Sequence, residues 1–222
     1  MLQHSKAEYF FTDSEKKRIE EATTLGESCT TGEIAVMVVD ESSHYREAEI
    51  LGGVSLGSLA ALVATIVFFH ESIWWYIPLS FILYFPAWFL FKYSHRLKIL
   101  CVGNAREQLA VKERAIRAFY EKELYRTKDN TGVLFFISLL EHKVWVLADK
   151  GIHERIKQPT LNKLAQQIAR GIKEGCAADA LIGAIKEAGQ LLAEHYPCGP
   201  EDTNELSNKL LFESRRDARD DS

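Results

Sequence analysis

Between Ile50 and Phe91 two apolar runs, Ile50–Phe69 and Ile73–Phe91, contain no Asp, Glu, Lys or Arg. Only His70, Glu71 and Ser72 part them. The hydrocarbon core of a bilayer takes about 20 residues of helix to cross, and each run has that length. Lipid offers no partner to a backbone N–H or C=O, so each run must pair its own, which a helix does. Three residues between two helices send the second back antiparallel to the first. The expectation is a transmembrane hairpin over 50–91, in contact with the lipid bilayer and set in a chain otherwise water-soluble in character.

Gly53, Gly57 and Ala61 recur at four-residue intervals in the first run. Small residues at that spacing let helix backbones approach closely. Two occupants suit the ladder: the second span of the same hairpin, or a second copy of the chain in a homodimer. Trp74, Trp75 and Tyr76 open the second run, where amphipathic rings suit the headgroup level. Arg46 precedes the first run, and Lys92, His95, Arg96 and Lys98 follow the second, while the turn has no Lys or Arg. The excess of positive charge places both ends in the cytoplasm, as in a two-span protein of the cell inner membrane. Residues 1–49 and 92–198 then meet on one side of the lipid and can build one domain. Residues 199–222 are polar and are expected to be a mobile tail.

About 180 residues outside the hairpin suffice for a compact domain with its own core. Thr12 and Glu15 form a capping box that starts a helix, with Ile19, Ala22, Gly26 and Cys29 along one face. Gly32 to Val39 is apolar at successive positions and rich in β-branched residues, which suits a strand covered on both faces. Arg96 to about Arg126 reads as one long helix, with Asn104 and Glu107 as a restart signal. Its basic residues Arg96, Lys98, Arg106, Lys112, Arg114 and Arg117 either touch anionic headgroups or form a solvated face balanced by glutamates. Val133–Leu140 and Lys143–Ala148 read as strands, and the link Glu141–His142 is short enough to make them antiparallel. Asp149-Lys150-Gly151 reads as a break, with His153 in a loop. Two helices follow, one after Pro159 with Leu161, Leu164, Ala165, Ile168 and Ile172 inward. The other begins near Ala178 with Leu181, Ile182, Ile185 and Leu192 inward.

A net charge of -4 and a pI near 6.0 argue against a general nucleic-acid binder, which needs a basic face. Cys29, Cys101, Cys176 and Cys198 have no CxxC spacing, so they read as packing or surface residues. HExxH, Walker, GxGxxG and GxSxG patterns are absent from the sequence. Asp40, Glu41, Asp129 and Asp149 each fall at a strand boundary. In open α/β sheets ligands favour the carboxyl ends of strands. Carboxylates converging there hold Mg²⁺ or Ca²⁺ through oxygen, and such an ion polarises a phosphoryl group. Asp also favours such positions simply as a turn or cap residue.

The chain resembles the TPM-domain family. The residues that carry the likeness are Phe11-Thr12-Asp13-Ser14-Glu15, Thr31-Gly32-Glu33-Ile34, Asp129-Asn130-Thr131-Gly132-Val133-Leu134-Phe135-Phe136-Ile137-Ser138 and Lys143-Val144-Trp145-Val146-Leu147-Ala148-Asp149-Lys150-Gly151-Ile152. The resemblance implies a three-layer α/β/α sandwich around a small mixed sheet, here interrupted by an inserted two-helix transmembrane hairpin. It also implies a metal set of Asp129 and Asp149, to which the strand-end reading adds Asp40. Activities linked to the family are phosphatase action, photosystem repair and accessory roles beside membrane receptors. The chain departs from the family pattern at Lys150, whose ammonium competes with a divalent cation. Three functions follow as expectations. The first is an accessory factor that binds a membrane or membrane-associated protein. The second is a metal-dependent phosphomonoesterase using Asp40, Asp129 and Asp149. The third is a divalent-cation or small-ligand sensor.

Overall fold

A computed structural model of the chain describes residues 5–68, 73–127, 130–198 and 210–213. The expected hairpin turn at His70, Glu71 and Ser72, Asp129 of the expected loop and most of the expected tail lie outside those residues.

The elements in order are α1 (Asp13–Glu27), β1 (Glu33–Val39), α2 (Arg46–Phe68), α3 (Tyr76–Tyr93), α4 (His95–Cys101) and α5 (Asn104–Glu121). Then come β2 (Gly132–Ser138), β3 (Lys143–Ala148), α6 (Lys150–Arg155), α7 (Gln158–Glu174), α8 (Ala177–His195) and β4 (Leu211–Glu213). Two compact units divide the chain: Met1–Ser42 with Leu109–Ser222, and Ser43–Gln108.

The first unit holds a mixed four-stranded sheet in the order β3-β2-β1-β4. β1 and β2 pair in parallel over seven residues, from Glu33 opposite Gly132 to Val39 opposite Ser138. β3 is antiparallel to β2 and β4 is parallel to β1. Every residue of β1 and β2 is buried, as their unbroken apolar runs require. Ile34, Val36 and Val38 face a core built with Ile19 of α1, Ile152 of α6, Leu164 and Ile168 of α7, and Leu181 and Ile185 of α8. Ala35, Met37 and Val39 face a smaller core with Val111, Ala115 and Phe119 of α5. Helices therefore cover both faces of the sheet. The capping box forms as expected: the Thr12 N–H donates to Glu15 Oε2 at 2.8 Å and the Glu15 N–H to Thr12 Oγ1 at 3.3 Å.

Three local readings change. The stretch after β3 is not a loop: Asp149 caps α6, accepting the Lys150 N–H at 2.7 Å. The long helix expected over 96–126 divides at Val102–Gly103 into α4 and α5 and ends at Glu121. The expected tail is not structureless throughout, because Leu211–Glu213 form an edge strand on β1. Leu210 is buried there, and Leu211 and Phe212 are partly buried.

In the second unit α2 and α3 pack antiparallel. Gly52 lies on Phe91, Gly53 on Trp88, and Gly57 on the backbone of Tyr84. A Cβ at Gly52 would stand 2.4 Å from the Phe91 ring, and one at Gly57 3.0 Å from Tyr84 Cα, so glycine is what lets the helices close. The small-residue ladder thus meets α3 of the same chain, and Ala61 is fully buried as well. Facing away from this seam, Leu59, Val63 and Ile66 on α2 and Phe81, Ile82 and Phe85 on α3 are all more than half exposed. Among the described residues one helix, Arg46–Phe68, is long and apolar enough to cross a membrane, with mean hydropathy 2.2. The sequence reading expects two. α3, at 18 residues, carries Lys92 and two prolines that lower its mean.

Candidate functional site

The sheet has two polar ends, and the topology decides which residues can meet at each. β1 and β2 run the same way, so their carboxyl ends, Val39 and Ser138, lie side by side. β3 runs back, which puts its carboxyl end beside the start of β2, Ala148 opposite Val133. Asp40 follows β1 and Asp149 follows β3, so they stand at opposite ends of the sheet. Six strand intervals at 3.3 Å separate those ends by about 20 Å. The structure does not bring Asp40 and Asp149 together. Asp129 lies outside the described residues. Among the described residues no group of three His, Cys, Asp or Glu side chains comes together as a metal site.

At the first end Asp40 secures the N-terminal segment. Its Oδ1 accepts the Ala7 N–H at 2.7 Å and the Ser5 hydroxyl at 3.3 Å. Glu141, 5% exposed, accepts the Ser42 N–H at 3.0 Å and the Ser138 hydroxyl. The Ser42 hydroxyl donates to Ser138 Oγ at 2.8 Å. Ser138 is 1% exposed, so this chain of hydroxyls is closed to a substrate and serves to fix the loop that leaves β1.

At the second end Asp149 sits beside Gly132, to whose carbonyl its N–H donates at 2.9 Å. Gly132 in turn pairs with Glu33. These three residues form a row across β3, β2 and β1. A Cβ on Gly132 would meet the Leu124 carbonyl oxygen at 2.3 Å, so the row needs glycine at its centre. The loop entering β2 is held by the Thr131 N–H on Thr127 Oγ1 at 2.9 Å and by the Thr131 hydroxyl on the Thr31 carbonyl at 3.0 Å. Asn130 adopts a left-handed φ of 54°, a conformation Asn tolerates well. Asp149 Oδ1 takes the cap bond of α6, while Oδ2 is buried with no hydrogen-bond partner among the described residues. A buried carboxylate oxygen left without a donor is costly and calls for an explanation. Glu33, 6% exposed, is the residue that sequence reasoning did not single out as a ligand candidate. Its signal was present in the Thr31-Gly32-Glu33-Ile34 stretch, where a carboxylate opens an otherwise apolar strand. The Lys150 side chain at this end is exposed, as is His153.

The basic residues after the second apolar run have partners within the chain. Lys98, 1% exposed, pairs with Glu49, and Arg106 pairs with Glu47 at 3.2 Å. Arg114, 8% exposed, pairs with Glu213 and with Glu121 at 3.1 Å. Of the two readings of these cations, the solvated balanced face describes Arg106; Lys98 and Arg114 are instead buried ion pairs, a third arrangement. All four cysteines are free and exposed.

Residues 90–191 match the family model of the TPM domain. The fold is similar to the NMR structure of BA42 protein from the psychrophilic bacterium Bizionia argentinensis, with a TM-score of 0.59 and 19% identity. That likeness covers 96% of this chain and 99% of the other. No curated protein matches the chain.

Proposed function

We propose, from the TPM-domain match and the two units, that this chain is an anchored TPM-domain protein of the cell inner membrane. In this reading α2 and α3 cross the lipid as a pair, and both termini stay in the cytoplasm. The sheet domain binds a membrane or membrane-associated protein and assists its assembly or maintenance. The observation that carries the reading is the outward face of α2 and α3, apolar along its length once the seam between them is closed. Leaving such a face in water costs on the order of 10 kcal/mol or more, which lipid removes. Strand pairing supports an even number of crossings. β1 and β2 belong to one sheet, and the whole apolar stretch lies between them in sequence, so a crossing by α2 needs a return by α3.

The test has two parts. Membranes carrying the chain are washed with alkaline carbonate, and the chain stays with the lipid; release into the wash overturns the anchor. Crosslinking and affinity capture from detergent-solubilised membranes then return one membrane protein in stoichiometric yield; no such protein overturns the accessory role.

A second reading, metal-assisted phosphate ester hydrolysis or divalent-cation sensing, is favoured by Asp149 Oδ2. The matched family model also carries the word phosphatase in its label. Ca²⁺ takes six to eight oxygen ligands, and the described residues offer Asp149 with Glu33 in the same row, so they do not complete a shell. Titration calorimetry with Mg²⁺ and Ca²⁺ and an aryl phosphate assay separate the branches. Heat and turnover, both lost in Asp149→Asn, support the esterase. Heat without turnover supports the sensor, and silence in both removes this reading.

A further inference from the structure

The segment that leaves α8 returns to the turn between α1 and β1, where Thr30 and Pro197 form an antiparallel bridge. Two main-chain bonds bracket that bridge. The Thr31 N–H donates to the Tyr196 carbonyl at 3.1 Å, and the Cys198 N–H donates to the Cys29 carbonyl at 3.2 Å. Cys29 and Cys198 therefore stand directly opposite each other, and opposite residues project their side chains on the same face. The Cα atoms of a hydrogen-bonded antiparallel pair are about 5.5 Å apart, inside the range of about 4.4–6.8 Å that disulfides span. Both thiols are free and exposed. The backbone on each side is fixed. The Thr30 hydroxyl donates to the Tyr196 carbonyl at 2.7 Å and accepts the Gly32 N–H at 3.1 Å. The Tyr196 hydroxyl donates to the Gly151 carbonyl at 2.5 Å. Behind the turn α1 and α8 meet backbone to backbone, since a Cβ on Gly189 would stand 2.8 Å from Gly26 Cα. Two thiols held opposite each other by such a frame need little further ordering to join. Cys176 caps the other end of α8, a helix of 19 residues and so about 28 Å long, which keeps it away from the pair.

We propose that Cys29 and Cys198 are a modification site, joined by a reversible disulfide that clamps the end of α8 to the turn before β1. In a reducing compartment such as the cytoplasm the pair rests as two thiols, and disulfides formed there are transient and responsive to redox conditions. The co-reactant is a low-molecular-weight disulfide of the glutathione type. One protein thiolate attacks a sulfur of glutathione disulfide, forming a mixed disulfide and releasing one glutathione thiolate. The second protein thiolate attacks the protein sulfur of that mixed disulfide and releases the other glutathione. Each protein thiol gives its proton to solvent, and each released thiolate takes one up. Two cysteines are oxidised as one glutathione disulfide is reduced to two thiols. The bond closes a long loop, from residue 29 to residue 198, and so restricts the unfolded chain and stabilises the folded one. The site lies within the sheet domain and depends on neither a membrane partner nor a cation.

The experiment uses the full chain in detergent micelles, equilibrated with set ratios of reduced to oxidised glutathione. Free thiols are trapped with a maleimide, and disulfides are located by peptide mapping without reductant. The expected product is a monomeric chain with Cys29 joined to Cys198, lighter by two hydrogens and returned to thiols by dithiothreitol. Its equilibrium constant against glutathione is expected to be about tenfold or more larger in the folded chain than in the same chain in concentrated guanidinium, because the fold holds the thiols together. By reciprocity the oxidised chain then melts several degrees above the reduced chain, and Cys198→Ser abolishes that dependence on the glutathione ratio. A chain carrying Cys101→Ser and Cys176→Ser is expected to behave as wild type. Equal constants for folded and denatured chain overturn the proposal. So do glutathione adducts on Cys29 or Cys198 that persist without closing, or a dominant disulfide to Cys101, to Cys176 or between chains.

Discussion

Replacing Glu141 by Ala tests whether the closed hydroxyl network holds the loop that leaves β1. Glu141 is 5% exposed and takes two donors, the Ser42 N–H at 3.0 Å and the hydroxyl of Ser138. Ser138 is 1% exposed, so no water replaces the lost acceptor, while Ser42 is half-buried and regains part of its bond from solvent. A buried donor left unsatisfied costs about 1–3 kcal/mol. One full and one partial loss therefore sum to about 3 kcal/mol. In a domain of about 150 residues each kcal/mol moves the melting temperature by about 2–4 °C, so Glu141→Ala lowers it by roughly 6–12 °C. Glu141→Gln keeps one acceptor and loses about half as much. Adding Ser138→Ala to Glu141→Ala removes the stranded hydroxyl, so the double variant melts no lower than Glu141→Ala, with a coupling of about 1–2 kcal/mol. Near-ultraviolet circular dichroism in detergent follows the transition. A shift under 2 °C for Glu141→Ala, or strict additivity of the two substitutions, refutes the reasoning.

Four further results follow. Gly57→Leu, whose side chain must enter the Tyr84 backbone, lowers the detergent-state melting temperature by several degrees, whereas Leu59→Ala on the outward face leaves it within a degree. Thr12→Ala costs about 1 kcal/mol at pH 7 by chemical denaturation. The Thr12 backbone and hydroxyl hold the Glu15 carboxyl below its ordinary value of 4.5. That stabilisation is present above the unfolded value and lost as pH falls through the folded one, so the gap between wild type and Thr12→Ala narrows as the pH falls below the ordinary value of 4.5. Asp40→Ala frees the segment at Ser5 and Ala7, seen as faster limited proteolysis near the N-terminus. It leaves any divalent-cation response unchanged, because Asp40 and Asp149 stand at opposite ends of the sheet.

Much of the architecture is legible where local chemistry is unambiguous. Thr12 and Glu15 announce α1, and the unbroken apolar runs of β1 and β2 announce strands covered on both faces. Glycines at 53 and 57 announce a close helix seam. What fails to show has a physical cause in each case. β4 is two apolar residues and a glutamate in a polar stretch, and its pairing partners, β1 and Arg114, are far away in sequence. α6 hides behind Gly151, and only the Asp149 cap and the burial of Ile152 reveal it. Glu49 for Lys98, Glu47 for Arg106 and Glu213 for Arg114 lie 49 to 99 residues away, beyond any local pattern, whereas Glu121, the second partner of Arg114, is only seven residues on. The separation of Asp40 from Asp149 was within reach, because an antiparallel β3 beside a β2 parallel to β1 already sends their carboxyl ends apart.

The native cysteines offer the most direct check that the sheet domain gathers on one side of a lipid bilayer. Cys29 precedes α2, Cys176 immediately precedes α8 and Cys198 follows it; all are exposed. Right-side-out and inverted inner-membrane vesicles are treated with an impermeant maleimide, and labelled cysteines are identified by peptide mapping. The account predicts that Cys29, Cys176 and Cys198 all label in inverted vesicles and not in right-side-out ones, while a cysteine at Trp74→Cys labels the other way round. Cys29 and Cys176 labelling from opposite faces would contradict it, since β1 and β2 could not then share a sheet.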